Sequence, residues 1–388
     1  MADVIPYGRQ TISEDDIQAV VDVLRSDYLT QGAVVPSFEK MVAEYCGVDH
    51  AVAVNSATSA LHIACLALGL GEGDCLWTSP NTFVASANCA LYCGASVDFV
   101  EIDARTYNIC IHALEKKLIE AKKKQCLPKI LIPVHFSGQS CAMRRIYELS
   151  LEYGFKIIED AAHAIGGKYL DEPIGNCRYS DITIFSFHPV KIITSGEGGM
   201  ALTQSHELAD RMQLFRSHGI TSDAYKMDDR PHDEIWNYQQ IALGLNYRMT
   251  DIHAALGMSQ MTRLDEFVAK RHQIAGLYDE ALAELPIQTP WQHSDTYSSY
   301  HLYPIRLKLE KRNKTQRQVY DALRSEHILV NLHYIPVYRQ PYYQQRGFEQ
   351  GYCPNAEQYY RETLSIPMYP SLTEQQQGRV IELLQSIL

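Results

Sequence analysis

Lys191 stands between an apolar run, Phe185-Ser186-Phe187, and a glycine-rich turn, Gly196-Glu197-Gly198-Gly199. A lysine amine becomes a nucleophile when desolvation or a nearby positive charge lowers its pKa, and with an aldehyde it gives a Schiff base. A second segment, Glu159-Asp160-Ala161-Ala162-His163, follows the apolar pair Ile157-Ile158. An acid at the buried end of a strand is costly unless paired, and a cationic heterocycle is a suitable partner. A third, Asn55-Ser56-Ala57-Thr58-Ser59-Ala60, opens an apolar helix directly after a strand-like run. Free N–H groups at a helix start, beside small residues, suit a phosphate. Each segment has an ordinary reading of its own: helix caps for the second and third, a surface lysine for the first. Together they offer a phosphate cradle, a carboxylate for a ring nitrogen and a lysine for an aldehyde, the three handles that hold pyridoxal phosphate.

The elements that must position these groups follow from periodicity. Apolar runs of strand length cover residues 50–54, 75–78, 96–100, 129–134, 156–160, 181–186 and 200–203. Helical patterns over 58–68, 83–92, 113–124 and 143–153 alternate with them. Nearly continuous apolar strands alternating with helices predict an α/β fold with a mostly parallel sheet covered on both faces. The last two strands, joined by a short loop, are candidates to depart from parallel order. Ligands of such sheets bind at the carboxyl ends of strands, where all three segments fall. Ser13, with Asp16 three residues on, predicts a capped opening helix. A change of texture after Thr250 divides the chain into a large unit, 1–250, and a smaller α+β unit, 251–388. The second unit carries strands near 300–309, 328–332 and 364–366 and helices over 315–326 and after Thr373. The polar stretch 223–240 reads as a loop, and Gly69-Leu70-Gly71 as a turn, not a dinucleotide fingerprint.

Composition narrows the function classes. The chain has 388 residues, 46% apolar and 21% charged, enough for a sizeable core. Thirty-five basic against 46 acidic residues give a net charge of -11, which argues against nucleic acid as a partner. The longest apolar stretch, 51–70, is interrupted by Asn55, Ser56, Thr58, Ser59 and His62, so no membrane span is expected, and no signal peptide is apparent. Ten scattered cysteines without a CxxC pair point to no metal and to a reducing, cytoplasmic compartment.

The ordered motifs Leu29-Thr30-Gln31-Gly32, Asn55–Ala60, Ser79-Pro80-Asn81-Thr82-Phe83, Glu159–His163, Ser186–Lys191 with Gly196–Gly199, and Gly244-Leu245-Asn246-Tyr247-Arg248-Met249-Thr250-Asp251 make the chain resemble the DegT/DnrJ/EryC1/StrS sugar aminotransferases over essentially its whole length. These are fold type I pyridoxal phosphate enzymes, with a seven-stranded sheet in the large domain. The resemblance implies that Lys191 holds the cofactor as a Schiff base and later acts as the acid/base, with Asp160 against the pyridine nitrogen. It implies that His163 sits by the phenolic oxygen or steadies the ring, that Phe83 stacks on it, and that Ala57, Thr58 and Ser186 bind the phosphate. Asn246 in this family reaches the phosphate of the neighbouring subunit's cofactor, which implies a homodimer with shared sites. Thr30, Arg248, His333 and Tyr334 are the expected substrate-side residues.

Within the family, Ser79–Phe83 with Val84-Ala85-Ser86, Phe187-His188-Pro189-Val190-Lys191 and His333-Tyr334-Ile335-Pro336 look like the pseudaminic acid aminotransferases. That likeness implies transfer from L-glutamate to C4 of a UDP-linked 4-keto-6-deoxy-N-acetyl sugar. Another nucleotide-linked keto sugar, such as a dTDP-linked one, or transfer to C3, stays open. So does a regulator that retains the cofactor without catalysis, although Lys191 and Asp160 are both present and no DNA-binding motif is apparent. The tyrosine-rich stretch 338–343 belongs either to the substrate pocket or to a packing surface.

Overall fold

The computed structural model describes residues 4–228, 234–311 and 314–388. Seven strands form its central sheet: β1 (His50–Val54), β2 (Cys75–Thr78), β3 (Ser96–Phe99), β4 (Ile130–Ile132), β5 (Lys156–Asp160), β6 (Ile182–Ser186) and β7 (Gly199–Thr203). Their spatial order is β1-β7-β6-β5-β4-β2-β3. Strands β2 to β6 pair in parallel, while β7 runs antiparallel between β6 and β1. A parallel partner needs a crossover of about a dozen residues, usually through a helix. The segment from β6 to β7 has no helix, so the chain turns back and β7 reverses.

Alternate residues of the strands feed opposite layers, as the two-residue period of a strand requires. Val52 and Val54 pack with the helices Ala57–Ala67, Ala85–Tyr92 and His206–Arg216. Ala51 and Ala53 face the helices Val34–Cys46 and Asp251–Met261. Farther along the sheet, Trp77, Leu131 and Ile157 are covered by Ile111–Lys124 and Met143–Tyr153. Ile111–Lys124 buries Leu114, Leu118 and Ala121, one stripe of a helix, and ends in three lysines that suit the negative end of its dipole. The opening helix, Glu14–Leu24, carries the expected capping box of Ser13 and Asp16.

A separate apolar core gathers Ile274, Tyr278, Ile305, Leu307, Val319, Leu364, Val380 and Leu384. Its antiparallel sheet joins Ile287–Gln288, Tyr303–Leu307 and Thr363–Ile366. The predicted strand at 328–332 is shorter than expected: Ile328–Leu329 pairs in parallel with Ile5–Pro6 from the other end of the chain, and Asn331 adds a single antiparallel bridge to Ser365. The 223–240 loop ends in a small ladder, Gln239–Gln240 on Ile220–Thr221, and its residues 229–233 lie outside the described residues.

Candidate active site

Val54, Gly199 and Ser186 lie side by side in register at the ends of β1, β7 and β6. The strand ends are therefore level, and the groups that follow them converge. A Cβ on Gly199 would sit 2.5 Å from the Ala57 nitrogen and from the Ser56 carbonyl carbon. Glycine is what lets the helix Ala57–Ala67 begin this close to the sheet. Ser56 caps that helix, its Oγ accepting from the Ser59 N–H at 3.1 Å, and Ser59 Oγ donates to Asn55 Oδ1 at 2.6 Å. The N–H groups of Ala57 and Thr58 donate to nothing among the described residues. Two free donors at the positive end of an eleven-residue helix make an anion site.

Beside it opens a cavity of about 920 Å³. Of the twelve site residues read from the sequence, nine line it: Ala57, Thr58, Phe83, Asp160, His163, Ser186, Lys191, His333 and Tyr334. Phe83 is 60% exposed, a flat apolar face offered to the cavity rather than core. The acids of the second motif point apart. Glu159 is bonded to His135 at 2.7 Å and to Thr183 at 3.2 Å behind the sheet. Asp160 faces the cavity, accepting from Ser86 Oγ at 2.6 Å and from the Ala162 N–H at 3.1 Å.

Burial pulls the Lys191 amine down from the usual lysine value to about 8, against the pull of the Asp160 charge upward. The loop that carries it closes on Phe187, whose carbonyl accepts from Thr194 Oγ1 and the Ser195 N–H, both at 3.0 Å. His163 accepts the Ser137 N–H at Nδ1, 3.2 Å away, so its proton sits on Nε2, 3.2 Å from the Tyr334 hydroxyl. Burial first, then the charges of Lys191 and His333, hold His163 well below the ordinary histidine value, hence neutral. His333, with Nδ1 2.8 Å from Ser365 Oγ, is pulled down by burial to about 3. Asn81 fixes the neighbouring backbone by accepting the Tyr334 N–H at 3.2 Å.

The other three predicted residues do not reach the cavity. Thr30, Arg248 and Asn246 form isolated bridges with Thr250, Val54 and Ser217. The strip 246–250 thus runs along the outer end of β1, and the Tyr247 carbonyl accepts the Asn55 N–H at 2.8 Å. Thr30 and Asn246 are exposed and Arg248 half-buried. Cavity residues without an assigned role from sequence include Tyr7, Ser86, Glu197, His301, Asn331 and Gln340. Ser86 and Glu197 lay inside recognised motifs; the others carry no local signal, because only the fold brings their distant segments together. Tyr338 and Tyr343 are core, bonded to Glu357 at 2.8 Å and Asn88 at 2.6 Å, so the tyrosine stretch is largely packing.

The free amides, the acid opposite them, the depressed lysine and the open aromatic face fit pyridoxal phosphate, and the sheet order with its single reversed strand is that of the fold type I enzymes that use it. Residues 10–385 match the DegT/DnrJ/EryC1/StrS aminotransferase family. The spore coat polysaccharide biosynthesis protein SpsC of Bacillus subtilis is 38% identical over 99% of this chain and 97% of its own. A Campylobacter jejuni UDP-4-amino-4,6-dideoxy-N-acetyl-beta-L-altrosamine transaminase is 37% identical over 99% and 98%. Among solved structures, Helicobacter pylori PseC, an aminotransferase involved in the biosynthesis of pseudoaminic acid, superposes with a TM-score of 0.90 at 29% identity, covering 99% of both chains. The chain belongs to the DegT/DnrJ/EryC1/StrS aminotransferase family. It is a sugar aminotransferase that works with pyridoxal phosphate.

Proposed function

We propose that the chain transfers the amino group of L-glutamate to C4 of a UDP-linked 4-keto-6-deoxy-N-acetyl sugar, as in pseudaminic acid biosynthesis. The observation that carries the chemistry is the convergence of Lys191, Asp160 and the free Ala57 and Thr58 amides on one cavity. The choice of sugar is supported by 37% identity to the altrosamine transaminase over 99% of the chain. SpsC, at 38%, favours a second reading in which the acceptor is another nucleotide-linked keto sugar, a polysaccharide precursor.

The cofactor, when bound, supplies the aldehyde that takes up the amine and a protonated ring that withdraws electrons from the reacting carbon. Ala57 and Thr58 hold its phosphate through their N–H groups, aided by the Ser186 hydroxyl. Asp160, steadied by Ser86, keeps the proton on the ring nitrogen. Phe83, exposed to the cavity, would cover one face of the ring. The His163 Nε2–H donates to the Tyr334 oxygen, leaving the tyrosine hydroxyl hydrogen for an oxygen in the cavity. Lys191, with a pKa of about 8, gives and takes a proton at Nζ near neutral pH.

The substrates and the cofactor are all anions, yet among the described residues lining the cavity Lys191 is the one lysine or arginine, beside Asp160 and Glu197, and its charge comes and goes near neutral pH. We therefore assign the remaining positive charge to a second subunit. In a homodimer with shared sites, Asn246 and Arg248, with Thr30 beside them, face the partner's cavity from the outer strip. The division into units 1–250 and 251–388 is part of the same proposal: the helix Asp251–Met261 still packs on the large core, and Leu264–Ala281 passes between the two cores, with Phe267 in the large one and Tyr278 in the small one. The ten free cysteines suit a cytoplasmic reaction, and among the described residues no helix is long and apolar enough to cross a membrane. Among the same residues no cluster could hold a metal ion.

The test is product analysis by NMR with L-glutamate and a panel of UDP- and dTDP-linked 3-keto and 4-keto sugars. A 4-amino product formed best from the UDP-linked 4-keto N-acetyl sugar is expected. Preference for a dTDP sugar, or amination at C3, overturns the substrate assignment.

A further inference from the structure

His301 has an unusual position. It is 4% exposed, lines the cavity that holds Lys191 and Asp160, and packs its ring 4.4 Å from that of His163. Yet neither ring nitrogen finds a hydrogen-bond partner among the described residues, and Nδ1 is completely enclosed. Its two neighbouring histidines in the cavity, His163 and His333, each have a ring nitrogen bonded by the protein.

The backbone around His301 is held with unusual care. Arg271, fully buried and facing no carboxylate, donates through Nη1 to the carbonyls of Tyr300 at 3.0 Å, His301 at 3.2 Å and Met368 at 3.0 Å. Ser137 Oγ donates to the Leu302 carbonyl at 2.6 Å, and Ser299 Oγ to the His163 carbonyl at 2.8 Å. Tyr300 itself is bent into the left-handed region at φ 46°, a conformation that a bulky residue adopts only when its surroundings enforce it. A segment clamped at four successive residues presents an imidazole whose bonding capacity is unspent.

The tautomer follows from the enclosure. A proton on Nδ1 would be a buried donor with no acceptor, which proteins avoid more strictly than an idle lone pair. Nδ1 therefore carries the lone pair and Nε2 the hydrogen. Burial first, then the positive charges of Lys191 and Arg271, keep the ring from taking a second proton. The acids that line the same cavity are Asp160 and Glu197, and Asp160 is already bonded to Ser86 and Ala162.

We propose that His301 is a substrate-contacting residue, a fixed neutral N–H donor for the oxygen borne next to the carbon that gives up or receives the amine. In the first half-reaction that oxygen belongs to the α-carboxylate of the amino donor, and in the second to a hydroxyl of the keto sugar. The inference rests on the aminotransferase reading of the cavity but not on which sugar is used.

The experiment follows the two half-reactions separately by stopped-flow absorbance of the bound cofactor in His301→Ala, His301→Gln and wild type, with cofactor content and Tm measured alongside. The expected result is full cofactor content with kcat/KM reduced roughly 10- to 100-fold in both half-reactions of the alanine variant, and partial recovery in the glutamine variant, which restores an N–H donor. Rates within twofold of wild type for His301→Ala, or no recovery in His301→Gln, overturn the proposal. Ring nitrogen NMR of the wild-type holoenzyme gives a second reading that needs no stable variant. A signal from a neutral Nε2–H tautomer from pH 6 to 8 that shifts on adding L-glutamate is expected; an Nδ1–H tautomer, or a ring that ionises in that range, overturns it. A wild-type enzyme whose cofactor absorbance does not respond to L-glutamate would overturn the donor assignment instead, with the tautomer still deciding the case of His301.

Discussion

Two opposed forces set the Lys191 amine, burial lowering its pKa and the Asp160 carboxylate raising it, with about 8 as the outcome. The sign gives a pH prediction. Covalent capture of pyridoxal phosphate needs the free amine, so its rate with the apoprotein should climb about tenfold per pH unit up to about 8 and then level off. An ordinary lysine would keep climbing toward pH ~10. Removing the charge that opposes burial, in Asp160→Asn, should move the plateau to lower pH; a midpoint that stays put would show that Asp160 does not act on the lysine. Lys191→Ala should lower turnover by roughly three orders of magnitude, measured with saturating substrates. Ser86 has a smaller share. Its hydroxyl bond to Asp160 is one to a charged acceptor, worth about 1.5–3 kcal/mol. Ser86→Ala should therefore weaken cofactor affinity by roughly tenfold or more, read by equilibrium titration, with the fold intact.

At the scale of elements, the phosphate cradle depends on how near the helix Ala57–Ala67 stands to the sheet. Gly199→Ala would drive a methyl group to 2.5 Å from the Ala57 nitrogen, a backbone atom that cannot swing aside. Relief requires the helix start or β7 to move, at about 1–3 kcal/mol. A lower Tm and a loss of cofactor binding larger than that at neighbouring sites are expected by thermal melting and titration; unchanged affinity would mean that the cradle tolerates displacement. Strands, helices and the three motifs were legible because each is local: apolar runs of period two, a capped helix start, an acid or a lysine at a strand end. The reversal of β7 was legible too, from the missing helix. What the sequence hid is contact between distant segments. Ile328–Leu329 pairs with Ile5–Pro6 across nearly the whole chain, and no pattern in either stretch names the other. His301 reaches His163 only because Ser137, Ser299 and Arg271 draw three segments together. Glu159 and Asp160 look alike in sequence, and only the pleat of β5 sends one behind the sheet and the other into the cavity.

At the scale of the whole molecule, a chain of net charge -11 has a cofactor cavity whose wall, among the described residues, carries Lys191 as its one lysine or arginine, while the proposed substrates are anions. Large apolar side chains stand exposed in the segments that flank the strip 246–250 in sequence or pair with it: Tyr28 is 64% exposed and Leu243 86%. Isolated apolar residues on a surface need no explanation, but large ones close to Asn246 and Arg248 are what the proposed dimer would cover. Complementation separates shared sites from self-contained ones. In the proposed dimer with shared sites, Lys191→Ala would spoil a site from within, whereas Arg248→Ala would spoil the site of the partner. When the two inactive chains are co-expressed with different tags, random pairing makes half of the dimers mixed, and each mixed dimer has one site with both defects and one with neither. About a quarter of wild-type activity should therefore appear in the population, and about half in dimers purified through both tags. Self-contained subunits would give no gain at all, because every site would then carry one of the two lesions.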